Sequence, residues 1–351
     1  MIVFTKDLFG TETHLAYENG FRWIDEIPGN SWVYGNNKYA YSVTEWLAMY
    51  NLEINPIIEK KYIKMAQALG LENPPWHQLL GSKYSSRIKA LSEDINDKMS
   101  LNVNSKYEKN WRLIQEFINS LKSPKADIVR YNSLKAMDAD LPGFSITTGS
   151  INRVRYDRRT KTGRLRVASG PSVLTLKAGY RSVLKDCRQI DFKNMEPRLL
   201  LAFLGKEIHG DLYEKIKKDL DIKGDRSYVK VSIISSLYGS KVIPEISEYF
   251  AIKEWIKQLE ADIKDDWINN YFGRPIQVKN VKGHHLLSLW LQSSAADAAL
   301  IAFANFFNEN KNLSPYWIIH DACIFSGKGT IPEYLYINED IKLPIECTEI
   351  K

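Results

Sequence analysis

Two aspartates stand at the ends of apolar runs, where a carboxylate can project toward a divalent cation. Asp191 closes Cys187-Arg188-Gln189-Ile190 and precedes Phe192-Lys193-Asn194-Met195-Glu196-Pro197-Arg198, in which an apolar helix is expected to begin near Glu196. Asp321 follows His320 between Trp317-Ile318-Ile319 and Ala322-Cys323-Ile324-Phe325, a pattern that reads as a tight hairpin with His320 and Asp321 at its tip. Taken singly, each Asp is as readily a cap or turn residue. Brought together, two such carboxylates could bridge two divalent ions about 3.5–4 Å apart and stabilise the attacking and leaving oxygens of an in-line phosphoryl displacement.

A third segment carries the opposite charge. Arg226, Lys230, Ile234 and Tyr238 recur every fourth residue, which on a helix makes a slowly drifting stripe. Two cations followed by an aromatic suit a nucleoside triphosphate, with phosphates on Arg226 and Lys230 and the base toward Tyr238. The β-branched Val229, Val231, Ile233 and Ile234 fit a buried strand as well, and periodicity leaves both readings open. Between Ile151 and Ile190 eleven basic residues face only Asp157 and Asp186, a local net charge of +9 against +6 for the whole chain. With Gly163, Gly170 and Gly179 permitting close backbone approach, this segment is expected to form a phosphate-binding surface rather than a merely solvated face.

These segments need elements to hold them. The first 55 or so residues alternate short aromatic runs (Ile2-Val3-Phe4, Phe21-Arg22-Trp23, Trp32-Val33-Tyr34) with turns at Gly29-Asn30 and Gly35-Asn36, the pattern of a small β-rich lobe. Ser42 with Glu45 has capping-box spacing, Pro56 is expected in a helical first turn ahead of a run that stops near Gly70, and Trp111, Ile114, Ile118 and Leu121 share one face of a later helix. Helices dominate to about Lys122.

Composition bounds the rest. A 351-residue chain with 44% hydrophobic and 26% charged residues is of globular type, and at this length two or three lobes are expected. Collagen, disulfide scaffolds and small metal modules do not fit. Cys187, Cys323 and Cys347 form no CxxC pair, which argues for a reducing, cytoplasmic setting. The run Leu286 to Phe307 contains Gln292, Asp297 and Asn305, so it reads as a buried helix rather than a membrane span. His14, His77 and His209 lack ligand spacing and His284-His285 are adjacent, so zinc is not expected. Trp255 and Trp267 read as packing residues.

Taken together, the motifs resemble the family A DNA polymerases, the class of bacterial DNA polymerase I. Asp191, Glu196 and Arg198 fall on the Asp, Glu and Arg of that family's D-x-S-Q-I-E-L-R; Arg226, Lys230 and Tyr238-Gly239 match R-x3-K-x7-Y-G; His320-Asp321 matches its His-Asp. Thr162-Gly163-Arg164-Leu165, Phe272-Gly273-Arg274 and Gln292-Ser293-Ser294-Ala295-Ala296-Asp297 resemble its T-G-R-L, F-G-R and Q-G-T-A-A-D in the right order. The resemblance covers about Thr160 to Phe325, roughly half the chain.

It implies an α+β right-hand polymerase fold: an antiparallel palm sheet (146–204 and 283–351), helical fingers (205–282), a reduced helical thumb (56–145) and the N-terminal lobe (1–55). It implies two Mg²⁺, with Mn²⁺ as a substitute, held by Asp191, Asp321 and the Phe192 carbonyl. Arg226 and Lys230 neutralise the triphosphate and Lys230 protonates the leaving pyrophosphate; Ile234 lies on the fingers helix, Tyr238 stacks near the template base and Glu196 crowds the sugar. Arg164 and Gln292 touch the minor-groove face of the nascent pair, His320 meets the primer terminus, and Arg181 and His284 join the DNA-binding set. Partners are primer-template DNA and dNTPs, with no membrane, a monomeric enzyme, and a processivity or replisome partner as an addition. No D-x-E triplet of a proofreading exonuclease precedes the motifs, and the small build suggests a phage, plasmid, organellar or repair enzyme. Ala322 replaces the acid that usually follows His-Asp, Ile234 an aromatic residue, and His284 and Ser288 an Arg and an Asn. An RNA polymerase or primase of the related single-subunit class and a catalytically silent nucleic-acid clamp are the alternatives.

Overall fold

The computed structural model describes residues 1–35, 41–54, 56–71, 76–102, 105–137 and 143–350 and divides into two compact units, Met1–Gln115 and Glu116–Lys351. In the first, β1 (Ile2–Phe4), β2 (His14–Tyr17), β3 (Phe21–Ile24) and β4 (Trp32–Tyr34) form a sheet in the order β3-β2-β1-β4, antiparallel except for the β1–β4 pair. The second residue of the expected Gly35-Asn36 turn lies outside the described residues, as does the His77 side chain. Helix α1 (Val43–Ala48) starts at Ser42, whose hydroxyl accepts the Glu45 N–H at 3.3 Å, the cap that the spacing predicts. Helix α2 (Lys60–Ala68) begins beyond Pro56, later than expected, because Ile57 and Ile58 are buried in the core and the chain turns helical only after them. Helices α3 (Trp76–Leu80), α4 (Ser82–Asn102) and the first part of α5 (Ser105–Ser120) complete the unit. Phe4 and Phe9 from the β-rich stretch and Trp46, Tyr84, Tyr107 and Trp111 from the helices belong to a single buried cluster. The β-rich stretch and the helices thus contribute to one shared core.

The second unit contains α6 (Ile128–Met137), β5 (Ile146–Thr147), β6 (Ser150–Ile151), β7 (Arg155–Asp157), β8 (Arg166–Ser169), β9 (Arg188–Phe192), α7 (Met195–Phe203), α8 (Leu212–Asp219) and α9 (Arg226–Tyr238). It continues through α10 (Pro244–Tyr249), α11 (Ile252–Ala261), β10 (Trp267–Asn269), β11 (Pro275–Gln277), α12 (Gly283–Glu309), β12 (Ser314–Ile319), β13 (Ala322–Ser326), β14 (Tyr334–Tyr336) and β15 (Lys342–Glu349). Its main sheet runs β12-β13-β9-β15-β14 with every neighbour antiparallel. Helix α12 is long and apolar enough to cross a bilayer, but 78% of its apolar window is buried by the rest of the protein.

The ambiguous 226–238 segment is helical. Asp225 accepts the Tyr228 N–H at 2.7 Å as N-cap, and Gly239 closes the helix at φ 76°. Val229, Ser232, Ile233, Ser236 and Leu237 are buried, so Val229 and Ile233 lie on a helical face in the core shared with α8, α11 and α12, while Val231 is exposed. Packing against neighbours overrides a modest intrinsic preference for strand.

Three of the short motifs meet in a buried polar network. Asp297 on α12 accepts from Arg158 and from Asn270 Nδ2, the latter at 2.9 Å. Arg274 donates to the carbonyls of Arg158 and Thr160 at 3.0 and 3.4 Å, and its guanidinium lies against Gly163. A Cβ at Gly163 would fall 2.7 Å from that guanidinium, and the residue sits at φ 72°. Gly163→Ala is therefore expected to cost about 2–3 kcal/mol through the clash and the left-handed backbone, measurable as a lower urea midpoint.

Candidate active site

Strand pairing brings the two aspartates together. In β9 Asp191 is the cross-strand partner of Ala322 in β13, so the residue before Ala322 falls beside Phe192, whose N–H donates to the Asp321 carbonyl at 3.2 Å. A two-residue turn joins β12 to β13, with Ile319 paired to Ala322 and His320 at φ 57°. His320 is exposed at the tip and Asp321 is half-buried. On the other side of β9, Glu346 of β15 is the partner of Asp191. Burial, and then the negative charges of Asp321 and Glu346, raise the Asp191 carboxyl to about 6, against the smaller opposing pull of Arg181 and a hydrogen bond from Gln189.

A cavity of about 920 Å³ opens over this sheet edge. Its lining includes Asp191, Phe192, Glu196, Arg198, His320, Asp321 and Glu346, with Arg226, Lys230 and Ile234 of α9, Tyr213 of α8 and Asp211 at its N-cap, Arg164 and Tyr334. Carboxylates and cations thus line one cleft. Helix α7, which bears Glu196, starts at Asn194 at φ 53° and carries Pro197 in its first turn, where a proline costs no hydrogen bond. Arg198 is buried and donates to the carbonyls of Ile208 and Gly210, strapping the loop that leads to Asp211.

Glu196 is doubly engaged. Arg164 Nη2 donates to Oε1 at 2.5 Å and the Tyr238 hydroxyl donates to Oε2. Burial, and then Glu196, push the Tyr238 hydroxyl up, keeping it a donor. Tyr238 reaches the site through this bond and is not itself part of the cavity lining. Gln292 on α12 bonds Ser288 at 3.3 Å, and His284 packs against Gly239, where a Cβ would meet it at 2.5 Å. Arg181 donates to Gln189 at 2.6 Å, on the sheet beside Asp191.

The basic segment is less available than its charge implies. Asp157 accepts from Arg159 and Arg166, and these bonds outweigh burial to hold its carboxyl at about 2. Arg158 pairs with Asp297 and Arg164 with Glu196, while Arg153 serves the carbonyls of Ile118 and Asn119. Arg181 meets Gln189, and Arg188 donates to the carbonyls of Gly327 and Gly329. Arg155, Lys161, Lys177 and Lys185 are exposed. Arg158 and Arg164 are thus paired with acids outside the segment and Arg153 and Arg188 with backbone, while Arg159 and Arg166 share the local Asp157 and keep about half or more of their side chains exposed.

The donor set suits a hard cation. Asp191 and Asp321 offer carboxylate oxygens at adjacent strand ends, and Mg²⁺ ordinarily takes one or two carboxylates, completing its shell with water and substrate phosphate. Among the described residues no group of three or more His, Cys, Asp and Glu could hold a metal without such help. The three cysteines are free, Cys187 and Cys323 buried.

Asp211, Tyr213, Tyr334 and Glu346 were not expected at the site. Only Asp211 had a sequence signal, an Asp three residues before Glu214 ahead of a helical run.

No family model and no curated protein matches the sequence. Solved structures do match the fold, including the polymerase domain of Pol1 from M. smegmatis in complex with a DNA primer-template and dNTP, at TM-score 0.54 and 11% identity over 86% of this chain and 80% of that one. The chain is mixed α+β, and its fold is similar to that of this polymerase domain.

Proposed function

We propose that the chain is a template-directed DNA polymerase of the family A type, adding dNTPs to a primer 3′-hydroxyl without a proofreading exonuclease. The observation that carries this reading is the single cavity that joins Asp191 and Asp321 at paired strand ends to Arg226 and Lys230 on one helix face. The likeness to a DNA polymerase domain supports it. In this reading the main sheet is the palm, α8–α11 the fingers, and the helices of the first unit a reduced thumb.

Two Mg²⁺, or Mn²⁺, bound by Asp191, Asp321 and the Phe192 carbonyl would lower the charge on the α-phosphate and on the primer oxygen. The chain's own residues do the rest. Arg226 and Lys230 grip the triphosphate; as the 3′-hydroxyl loses its proton to solvent and its oxygen bonds the α-phosphorus, the α–β phosphoanhydride bond breaks and Lys230 supplies the proton that the departing pyrophosphate takes up. Glu196, fixed by Arg164 and Tyr238, presents a carboxylate edge where a 2′-hydroxyl would lie. Ile234 lines the same cavity and gives the sugar an aliphatic rather than an aromatic wall. His320 at the hairpin tip meets the primer terminus, and Arg164 and Gln292 meet the minor-groove edge.

The test is primer extension on a DNA template with Mg²⁺ or Mn²⁺, comparing dNTPs with NTPs. Extension with dNTPs alone, lost in Asp191→Asn, is the expected result; extension with NTPs alone would make the protein an RNA or primer synthase, and binding without extension a clamp. Glu196→Ala is expected to raise NTP use relative to dNTP about tenfold or more, since one steric and polar conflict is worth about 1.4 kcal/mol or more.

A further inference from the structure

Asp211 places a negative charge on the cationic side of the cavity. Its Oδ1 accepts the N–H groups of Tyr213 and Glu214 at 2.9 and 3.1 Å, capping α8, and its Oδ2 accepts Arg226 Nε at 2.8 Å. The two oxygens serve different ends. Capping requires an oxygen but no charge, and Asn fills that position as well as Asp. The charge is answered by Arg226, whose guanidinium also lies 5.1 Å from the centre of the Tyr213 ring. Burial opposes ionisation of Asp211, but the two amides and Arg226 outweigh it and hold the carboxyl below its ordinary range, so it is an anion at neutral pH.

Arg226 and Lys230 lie one turn apart on α9 and line the same cavity as Asp211. A polyphosphate entering there meets a guanidinium already committed to a carboxylate. We infer that Asp211 is a resident stand-in for phosphate: it holds Arg226 in the unliganded protein, yields it to the incoming triphosphate, and recaptures it as pyrophosphate leaves. This rests on reading the cavity as a nucleotide site. Every polyphosphate loses affinity by the exchange, but a nucleotide has base and sugar contacts to make up the loss and pyrophosphate has none, so the exchange favours product release. Asp211 is a positioning residue, acting through Arg226.

The experiment is calorimetric binding of inorganic tripolyphosphate and pyrophosphate to the full chain. Asp211→Asn, which keeps the cap, is expected to bind both about three- to tenfold more tightly, the scale of losing a half-exposed ion pair plus one repelling charge. Arg226→Ala in that background removes the gain. In primer extension the KM for dNTP falls by a similar factor with no rise in kcat, and inhibition by added pyrophosphate strengthens. Asp211→Ser, a second uncharged cap, must behave like Asn, whereas a purely structural cap would leave all these affinities unchanged in both. Unchanged or weaker tripolyphosphate binding in variants with wild-type melting, or no binding by any form, overturns the stand-in role. Wild-type extension in the same preparations reports separately on the polymerase reading: extension with unchanged tripolyphosphate affinity removes only the stand-in, and tightened binding without extension removes only the polymerase.

Discussion

Asp191→Asn is expected to abolish primer extension and at the same time make the metal-free protein more stable at pH 8. The first effect follows, in the proposed reaction, from its place beside Asp321: without that carboxylate the bound cations would lose several kcal/mol of charge stabilisation, a fall of about a thousandfold or more. The second follows from its carboxyl being raised to about 6 from an ordinary 3.8, by burial first and then by Asp321 and Glu346. The native state holds that proton more tightly than the unfolded chain. The stability it contributes is complete below about pH 3.8 and is lost as the pH rises through about 6. At pH 8 the wild type carries a half-buried anion facing two others, and the neutral Asn does not. Discounted for solvent screening at an open cleft, the difference is about 1–2 kcal/mol. Urea denaturation in chelator at pH 4 and pH 8 checks it: the curves should lie close at pH 4 and separate at pH 8 with the variant higher. Mg²⁺ at pH 8 should then close the gap from the wild-type side. A variant less stable than wild type at pH 8 would mean that the carboxylate earns its place through contacts rather than through cation binding.

The halves of that carboxylate pair were legible because both stand at the ends of apolar runs, and the reason they meet lies in strand pairing. Asp191 and Asp321 are far apart in sequence, and the register that sets Ala322 opposite Asp191 leaves no trace in either segment read alone. Segment 226–238 was open by its pattern alone. Its four-residue stripe fitted a helix and its four β-branched residues a strand, and the signals that decide are Asp225 before it and Gly239 after it, caps at the correct distance. Caps decide such cases better than the side chains between them, because they mark where the hydrogen-bond ladder must end.

Charge counting has a limit of a related kind. The eleven cations of 151–190 were set against the two acids within the same window, yet Arg158 and Arg164 are answered by Asp297 and Glu196, outside it. A local net charge measures a surface only if the partners are local. Arg198 shows the same limit: its type matched a motif, but its work is done on the carbonyls of Ile208 and Gly210, and backbone acceptors have no signature in sequence.

The same long-range pairing makes Asp297→Ala the change with the largest expected effect on stability. Asp297 is fully buried and Arg158 nearly so, and removing the carboxylate takes away the counter-charge of a guanidinium inside the protein and leaves Asn270 Nδ2 with Ser293 as its remaining acceptor. Breaking one side of a buried pair costs about 3–5 kcal/mol, whereas replacing both partners by apolar groups of similar size costs far less. Asp297→Leu combined with Arg158→Met should therefore recover much of what either single change loses, and a double-mutant cycle in urea measures the coupling. Additive losses would mean that packing volume, not charge, governs the site. The functional consequence travels through backbone. Arg274 binds the carbonyls of Arg158 and Thr160 and packs on Gly163, fixing the loop from which Arg164 reaches Glu196. Loosening that loop frees the carboxylate edge proposed to exclude ribonucleotides, so the folded fraction of Asp297→Ala should discriminate less between NTPs and dNTPs, while the double variant, with the loop restored, should discriminate as the wild type does.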